Sequence, residues 1–253
     1  MTFCAYPRTV SELLDRRARK KAQTREQIRG IAQRLFAQHG YDAVTIADVA
    51  RQADVAVQTV FNHFATKEEL FFDGRVPWVE GMAEAVRRRP PSVPPLTALR
   101  EALTDLIGWL VGSMASEGRR SYVATVEASE ALRAQERENI VEAERRIAAA
   151  LLDAWSGDGG TTGPEPEDPA TAAALTAAIW MSAVRVLVLE QRPRLNSGAC
   201  PTELATAATS LAAGLLTQLE VSVAPAAYLS GNTVADLESS AHTGWPLVNA
   251  SAV

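Results

Sequence analysis

Gln58, Thr59, Asn62 and His63 stand close together in the stretch Thr45–Lys67, TIADVARQADVAVQTVFNHFATK. Glutamine and asparagine each present a donor beside an acceptor, the pairing that matches an adenine edge in the major groove of DNA. Threonine adds a methyl that can touch thymine and a hydroxyl for sugar or phosphate. Val57, Val60, Phe61 and Phe64 fall at helical spacing among them and are expected to form the buried side of a short helix. Phosphate would be held by the amide N–H groups behind Thr45, by His63, by Lys67, and by the basic run Arg16-Arg17-Ala18-Arg19-Lys20-Lys21. The candidate DNA-contacting set is thus Thr45, Val57, Gln58, Thr59, Phe61, Asn62, His63 and Lys67. Pattern alone leaves a second reading open, a small helical core whose polar residues face solvent.

These side chains need helices to aim them. Thr45 is placed to cap one, with Asp48 at its third position, and Ile46, Val49, Ala50 and Ala53 form its inward face. Asp54 sits where the chain must turn before the short helix of Val57–Phe64. Upstream, Thr24 and Gln27 form a capping box before the stripe Ile28, Ile31, Ala32, Leu35, Phe36, so a first helix is expected over about 25–38, ended by His39-Gly40. Downstream, Thr66 caps a fourth helix running through Phe71, Trp78, Val79, Met82 and Val86, with a kink or break at Gly74 and Pro77.

Beyond it, Arg87–Pro95 reads as a stiff linker and a domain boundary. Further helices are expected over Leu96–Glu117, Tyr122–Ala128, Ala131–Trp155, about 170–190 and about 202–222. A flexible Gly- and Pro-rich loop falls over 156–169, and 224–253 reads as a tail. No segment has strand alternation, so the fold class is all-α.

Charge is unevenly shared. The whole chain is at −5, but residues 1–75 carry 12 Lys+Arg against 9 Asp+Glu, a basic head on an acidic body. Such asymmetry fits local contact with DNA. The two cysteines, Cys4 and Cys200, stand far apart, which favours a reducing cytosol over a disulfide framework. No secretory signal is legible in residues 1–22. The apolar run Ala170–Leu189 holds Arg185, so a buried helix is expected there and not a membrane span. The three histidines, His39, His63 and His242, have no ligand-type neighbours. No nucleophile elbow or phosphate-cradling glycine loop is present either. Catalytic residues, metal ligands and cofactors are therefore expected to be none.

Residues 24–70 resemble the DNA-binding domain of TetR-type (TetR/AcrR) bacterial transcriptional regulators. The likeness is carried by Phe36-x-x-x-Gly40-Tyr41, Thr45-x-x-Asp48-Val49-Ala50, Ala53, Val55, Thr59-Val60-Phe61-x-His63-Phe64 and Lys67-Glu68-x-Leu70. It implies three N-terminal helices for DNA, a linking helix, and an all-α C-terminal domain that dimerises through its last two long helices and encloses an effector pocket. The expected division is 1–22 basic extension, 23–70 helix-turn-helix domain, 71–90 linking helix, 91–223 effector and dimer domain, and 224–253 tail.

The implied function is a cytoplasmic homodimeric repressor on a palindromic double-stranded operator, released by a small-molecule effector. Its two reading heads would then lie about 34–36 Å, or a multiple of that, apart. The alternatives are an activator or architectural DNA binder without effector, or an all-α ligand-binding protein or enzyme. Four positions depart from the family pattern: Asp54 replaces a usual glycine, Ala56 a capping residue and Phe61 a tyrosine, while Pro77 interrupts the connector.

The stripe Leu204, Ala208, Leu211, Leu215, Leu219 on the last helix suits a dimer seam or an intramolecular core equally by spacing, and the resemblance favours the dimer. Trp109, Met114, Tyr122, Trp180, Met181 and Arg185 are pocket-lining candidates, with core packing the alternative for the apolar ones. An inward Arg185 would need Glu127, Glu190 or a ligand carboxylate beside it, and a surface Arg185 that snorkels to solvent is the commoner alternative.

Overall fold

The computed structural model describes residues 10–156 and 168–222, and among them every regular element is helical. The helices are α1 (Val10–His39), α2 (Ile46–Gln52), α3 (Val57–Phe61), α4 (Lys67–Phe72), α5 (Trp78–Arg87), α6 (Pro95–Gly112), α7 (Glu117–Ala128), α8 (Glu130–Ser156), α9 (Pro169–Leu189), α10 (Gln191–Asn196) and α11 (Pro201–Ser222). Cys4, most of the loop expected over 156–169 and the tail expected over 224–253 lie outside the described residues.

The chain divides into two compact units, the described parts of 1–77 with 117–139, and of 78–116 with 140–253. The segment Arg87–Pro95 therefore lies inside the second unit. There Arg89 donates to the carbonyls of Val86 (2.9 Å) and Val93 (3.1 Å), giving that Pro-rich stretch a defined course.

In the first unit, Ile28, Ile31, Ala32 and Phe36 of α1 pack with Val49 and Ala50 of α2, Val60 and Phe64 around α3, and Leu70, Phe71 and Phe72 of α4. Val126 of α7 and Leu132 of α8 complete this core. Phe71 lies at its centre, 5.8 Å from the Phe36 ring, 5.4 Å from Tyr41, 5.2 Å from Phe72 and 5.4 Å from Tyr122.

Helix α1 starts at Val10, well before the start expected near 25. The Thr24 hydroxyl does not cap; it donates to the Lys20 carbonyl one turn back, at 3.0 Å. From Arg16 to Arg25 the chain has no glycine or proline and several good helix formers, so nothing stops the helix from continuing backward. The basic run therefore rides on a continuous helix, with Arg16, Arg17, Lys20 and Lys21 all exposed. Gly40, at φ 82, ends α1 with its N–H on Phe36 O at 3.0 Å.

The break expected at Gly74 and Pro77 is present: α4 stops at Phe72 and α5 begins at Trp78. Gly74 has φ 70 and lies against Arg29, whose guanidinium nitrogen would come within 2.5 Å of an added Cβ.

The second unit is built on Leu99, Leu103 and Ile107 of α6, Ile147 and Leu151 of α8, Trp180 of α9 and Leu216 of α11. Helices α6 and α11 cross closely at Gly108, where an added Cβ would stand 2.8 Å from Thr209 Oγ1. Glu220 ties the same pair together, accepting from Arg100 Nε at 2.7 Å and from the Thr97 hydroxyl. Helix α9 is capped by Asp168, which accepts from Thr171 N at 3.0 Å. The stripe expected along α11 divides: Ala208 is buried, Leu204, Leu215 and Leu219 are half-buried, and Leu211 is exposed.

Candidate nucleic-acid interface

Helix α2 is fixed at its start by a complete capping box. The Thr45 hydroxyl accepts from Asp48 N at 3.1 Å, and the Asp48 carboxylate accepts from Thr45 N at 3.0 Å. With the Thr45 bonds first and the Arg51 guanidinium at 2.5 Å adding to them, the Asp48 carboxyl is lowered to about 2. The chain then turns through Asp54, whose φ of 52 is the left-handed conformation that aspartate adopts more readily than most residues. Val55 N closes the turn on Ala50 O at 3.0 Å. Ala56 stands as N-cap of α3 with no side-chain cap bond.

Helix α3 is only Val57–Phe61, and it buries less than its apolar pattern suggests. Val60 and the following Phe64 are buried, but Val57 is 41% and Phe61 44% exposed. The expected buried side of four residues is therefore two. One and a half turns can offer only a narrow strip to the neighbouring helices, and Val57 and Phe61 fall outside it, beside Gln58 and Asn62. Gln58, Phe61 and Asn62 lie exposed and Thr59 half-buried. Gln58 Nε2 donates to Asn62 Oδ1 at 3.2 Å, so the two amides hold each other one turn apart.

Arg25 of α1 secures this region from beneath. It donates to the His63 carbonyl and to Asp73 (2.6 Å), lies 3.5 Å from Glu69, and covers the Phe64 ring at 4.1 Å. Sequence reading missed this clamp. Arg25 stands one helical turn from Lys21, but only the tertiary fold brings it under His63. His63 itself is half-buried, and its Nδ1 has no hydrogen-bond partner. Burial, with the charges of Lys21 and Arg25, lowers its pKa below the ordinary histidine value, so the ring is neutral near pH 7.

Lys67 Nζ lies 4.1 Å from the Tyr41 ring centre, and burial lowers its pKa against the opposing pull of Asp42 and Glu68. Tyr41 is held in turn by a 2.6 Å bond from its hydroxyl to Glu68, and burial with that carboxylate raises its pKa. The exposed surface of the head thus contains Gln58, Asn62, Val57 and Phe61, and the charge of the exposed Lys21 on α1 reaches the adjoining His63.

The six ligand candidates are shared between the two units. Tyr122 belongs to the first unit, stacked on Phe71 with 8° between the rings. Trp109 is exposed and Met114 buried. Trp180 and Met181 are core residues of the second unit, and the Trp180 indole N–H has no acceptor. Arg185 is exposed, and the carboxylate its charge acts on is Glu144, where burial raises the pKa and Arg185 opposes it. Among the described residues no three His, Cys, Asp or Glu side chains come together as a metal-binding group.

A capped α2, a left-handed turn and a short α3 presenting amides to solvent define a helix-turn-helix protein. Residues 29–73 match the family described as bacterial regulatory proteins, tetR family. Over this segment the chain is similar to the DNA-binding part of tetR-family regulators.

Over 92 residues the chain is 34% identical to the HTH-type transcriptional regulator TcmR of Streptomyces glaucescens, a stretch that is 36% of this chain and 41% of that protein. The chain thus spans about two fifths of the length of this curated relative. Among solved structures, NalD, the secondary repressor of the MexAB-OprM multidrug efflux pump in Pseudomonas aeruginosa, is 23% identical with a TM-score of 0.43, covering 77% of this chain and 95% of that one. SmeT, the repressor of the Stenotrophomonas maltophilia multidrug efflux pump SmeDEF, is 19% identical with a TM-score of 0.43, covering 76% and 89%.

Proposed function

We propose that this chain is a DNA-binding transcriptional repressor that acts as a cytoplasmic homodimer on a palindromic operator and is released by a small molecule. The observation that carries the reading is the α3 surface. Two amides and two apolar side chains stand exposed on a helix whose other side is buried, within a segment matching the tetR family. In that role Gln58, Thr59 and Asn62 read bases, while Thr45, His63, Lys67 and the α1 cations hold the backbone. The test is selection of bound duplex from a random pool by the full chain. Enrichment of a palindrome is expected, and retention without sequence preference would overturn specific regulation.

Dimerisation is supported by apolar surface left open on the last two long helices. Leu175, Ile179, Val186 and Leu189 of α9 and Leu211 and Val221 of α11 are exposed. Ala207, Ser210 and Gly214 keep the outer side of α11 small beside them. Both helices have the length and composition to cross a membrane. Their inner faces, however, pack into the second unit's core, and α9 carries the exposed Arg185. A second copy is therefore the occupant that suits them. Sedimentation equilibrium should give a dimer for the native chain and a monomer for Ile179→Glu/Leu211→Glu; a monomeric native chain would refute the dimer.

The effector would bind in the second unit. The unpartnered Trp180 indole N–H there favours a largely apolar compound carrying a hydrogen-bond acceptor. Release requires that this compound bind the DNA-free state more tightly than the DNA-bound one.

A further inference from the structure

From Arg16 onward, every large apolar side chain of the first unit is buried or half-buried, with two exceptions: Val57 and Phe61. These two lie four residues apart on α3, so they are neighbours on one face of one helix. Alongside them runs a second pair with the same spacing, Gln58 and Asn62, joined by the 3.2 Å amide bond. The exposed surface of α3 is thus two parallel rows, one apolar and one amide. The helix carries no charged residue.

We infer that Val57 and Phe61 read the 5-methyl group of a thymine in an A·T-containing half-site, next to the adenine read by Gln58. The inference rests on the DNA-binding reading above and specifies its substrate. The thymine methyl is the one apolar group that unmodified base pairs display in the major groove, and it lies on the same base pair as the adenine N6/N7 edge that an amide can pair with. An apolar row beside an amide row matches that juxtaposition. Besides offering its own NH2 to the groove, Asn62 accepts from Gln58 Nε2 and so fixes the Gln58 amide plane, leaving Gln58 Oε1 and its second N–H for the base.

A protein partner is the poorer occupant. Two side chains fall far short of the ~800 Å² per side of a stable protein interface. Lys21, exposed on α1, is close enough for its charge to act on His63, whereas Arg25 is taken up by Asp73 and Glu69. A cation left open beside this surface suits a polyanion.

The experiment uses the full chain and the operator recovered by pool selection. Each thymine of the half-site is replaced in turn by deoxyuridine, which removes one methyl and leaves every base-pairing group in place. At one position affinity should fall about fourfold per half-site, the worth of one buried methyl-sized group, and about 15-fold when both half-sites are changed. Val57→Ala and Phe61→Ala, both at exposed positions, should weaken binding to the thymine operator and bind the thymine and uracil duplexes alike. Equal affinity of the native chain for thymine and uracil duplexes at every position would overturn the inference while leaving specific binding intact. If no preferred sequence emerges from the pool, the regulatory reading fails and this one fails with it.

Discussion

The two units solve opposite problems with their apolar residues. The first encloses nearly all of them, gathering Phe36, Tyr41, Phe64, Phe71 and Phe72 into an aromatic centre and securing the rim with Arg25 on Asp73. The second builds its core from Leu, Ile, Ala and Trp180, yet leaves Trp109, Val141, Leu175, Ile179, Val186, Leu189, Leu211 and Val221 exposed. The proposed contact of the head with a charged polymer is compatible with a closed core. The proposed meeting of the body with another copy would draw on apolar surface held in reserve. Exposed apolar residues therefore mean different things in the two units: in the head Val57 and Phe61 stand out, while in the body they recur along α9 and α11.

The largest test of this contrast is Phe71→Ala. Phe71 is fully buried and touches four rings, so its loss should cost about 3–5 kcal/mol and unfold the head preferentially in a urea titration. A loss below 1 kcal/mol would show that the head core is not organised around it. Next in size is Gly108→Val, which forces bulk between α6 and α11 where Thr209 Oγ1 already stands 2.8 Å from an added Cβ. About 1–3 kcal/mol of destabilisation is expected, confined to the second unit and partly recovered by Thr209→Ala.

The smallest effect concerns pH. His63 has a pKa depressed below that of the unfolded chain, so its contribution to stability is present above about pH 6.5 and is lost as pH falls. A phosphate against the ring would raise that pKa, so DNA binding would take up a proton and tighten as pH falls from 7.5 to 6. His63→Gln should flatten the pH dependence of affinity, and an unchanged slope would remove His63 from the phosphate contacts.

Much of the head was legible because local signals agree there. The cap at Thr45, the stop at Gly40 and the turn at Asp54 each rest on the backbone preferences of a few residues, and each forms as the sequence implies. The cap at Thr24 failed for the same kind of reason inverted: a good helix-forming run upstream outcompeted it. Burial on α3 was misjudged because spacing reports which residues share a face and says nothing of how wide a face the neighbours cover. Large apolar side chains on the later helices are natural candidates for a pocket lining. Size does not distinguish Tyr122, which serves the head core, from Trp180 in the second unit.

By itself, then, the sequence determined the all-α class, the helix-turn-helix with its amides, the break between α4 and α5 at Gly74–Pro77, and the asymmetry of charge. All of these follow from residue preferences acting over a turn or two of chain. Tertiary structure decided which side chains remain outside. It placed Arg25 beneath His63, drew Lys67 over Tyr41, divided the stripe of α11 and left Val57 and Phe61 in solvent. Such outcomes depend on what distant segments cover, and no periodicity along one helix records the width of its neighbour.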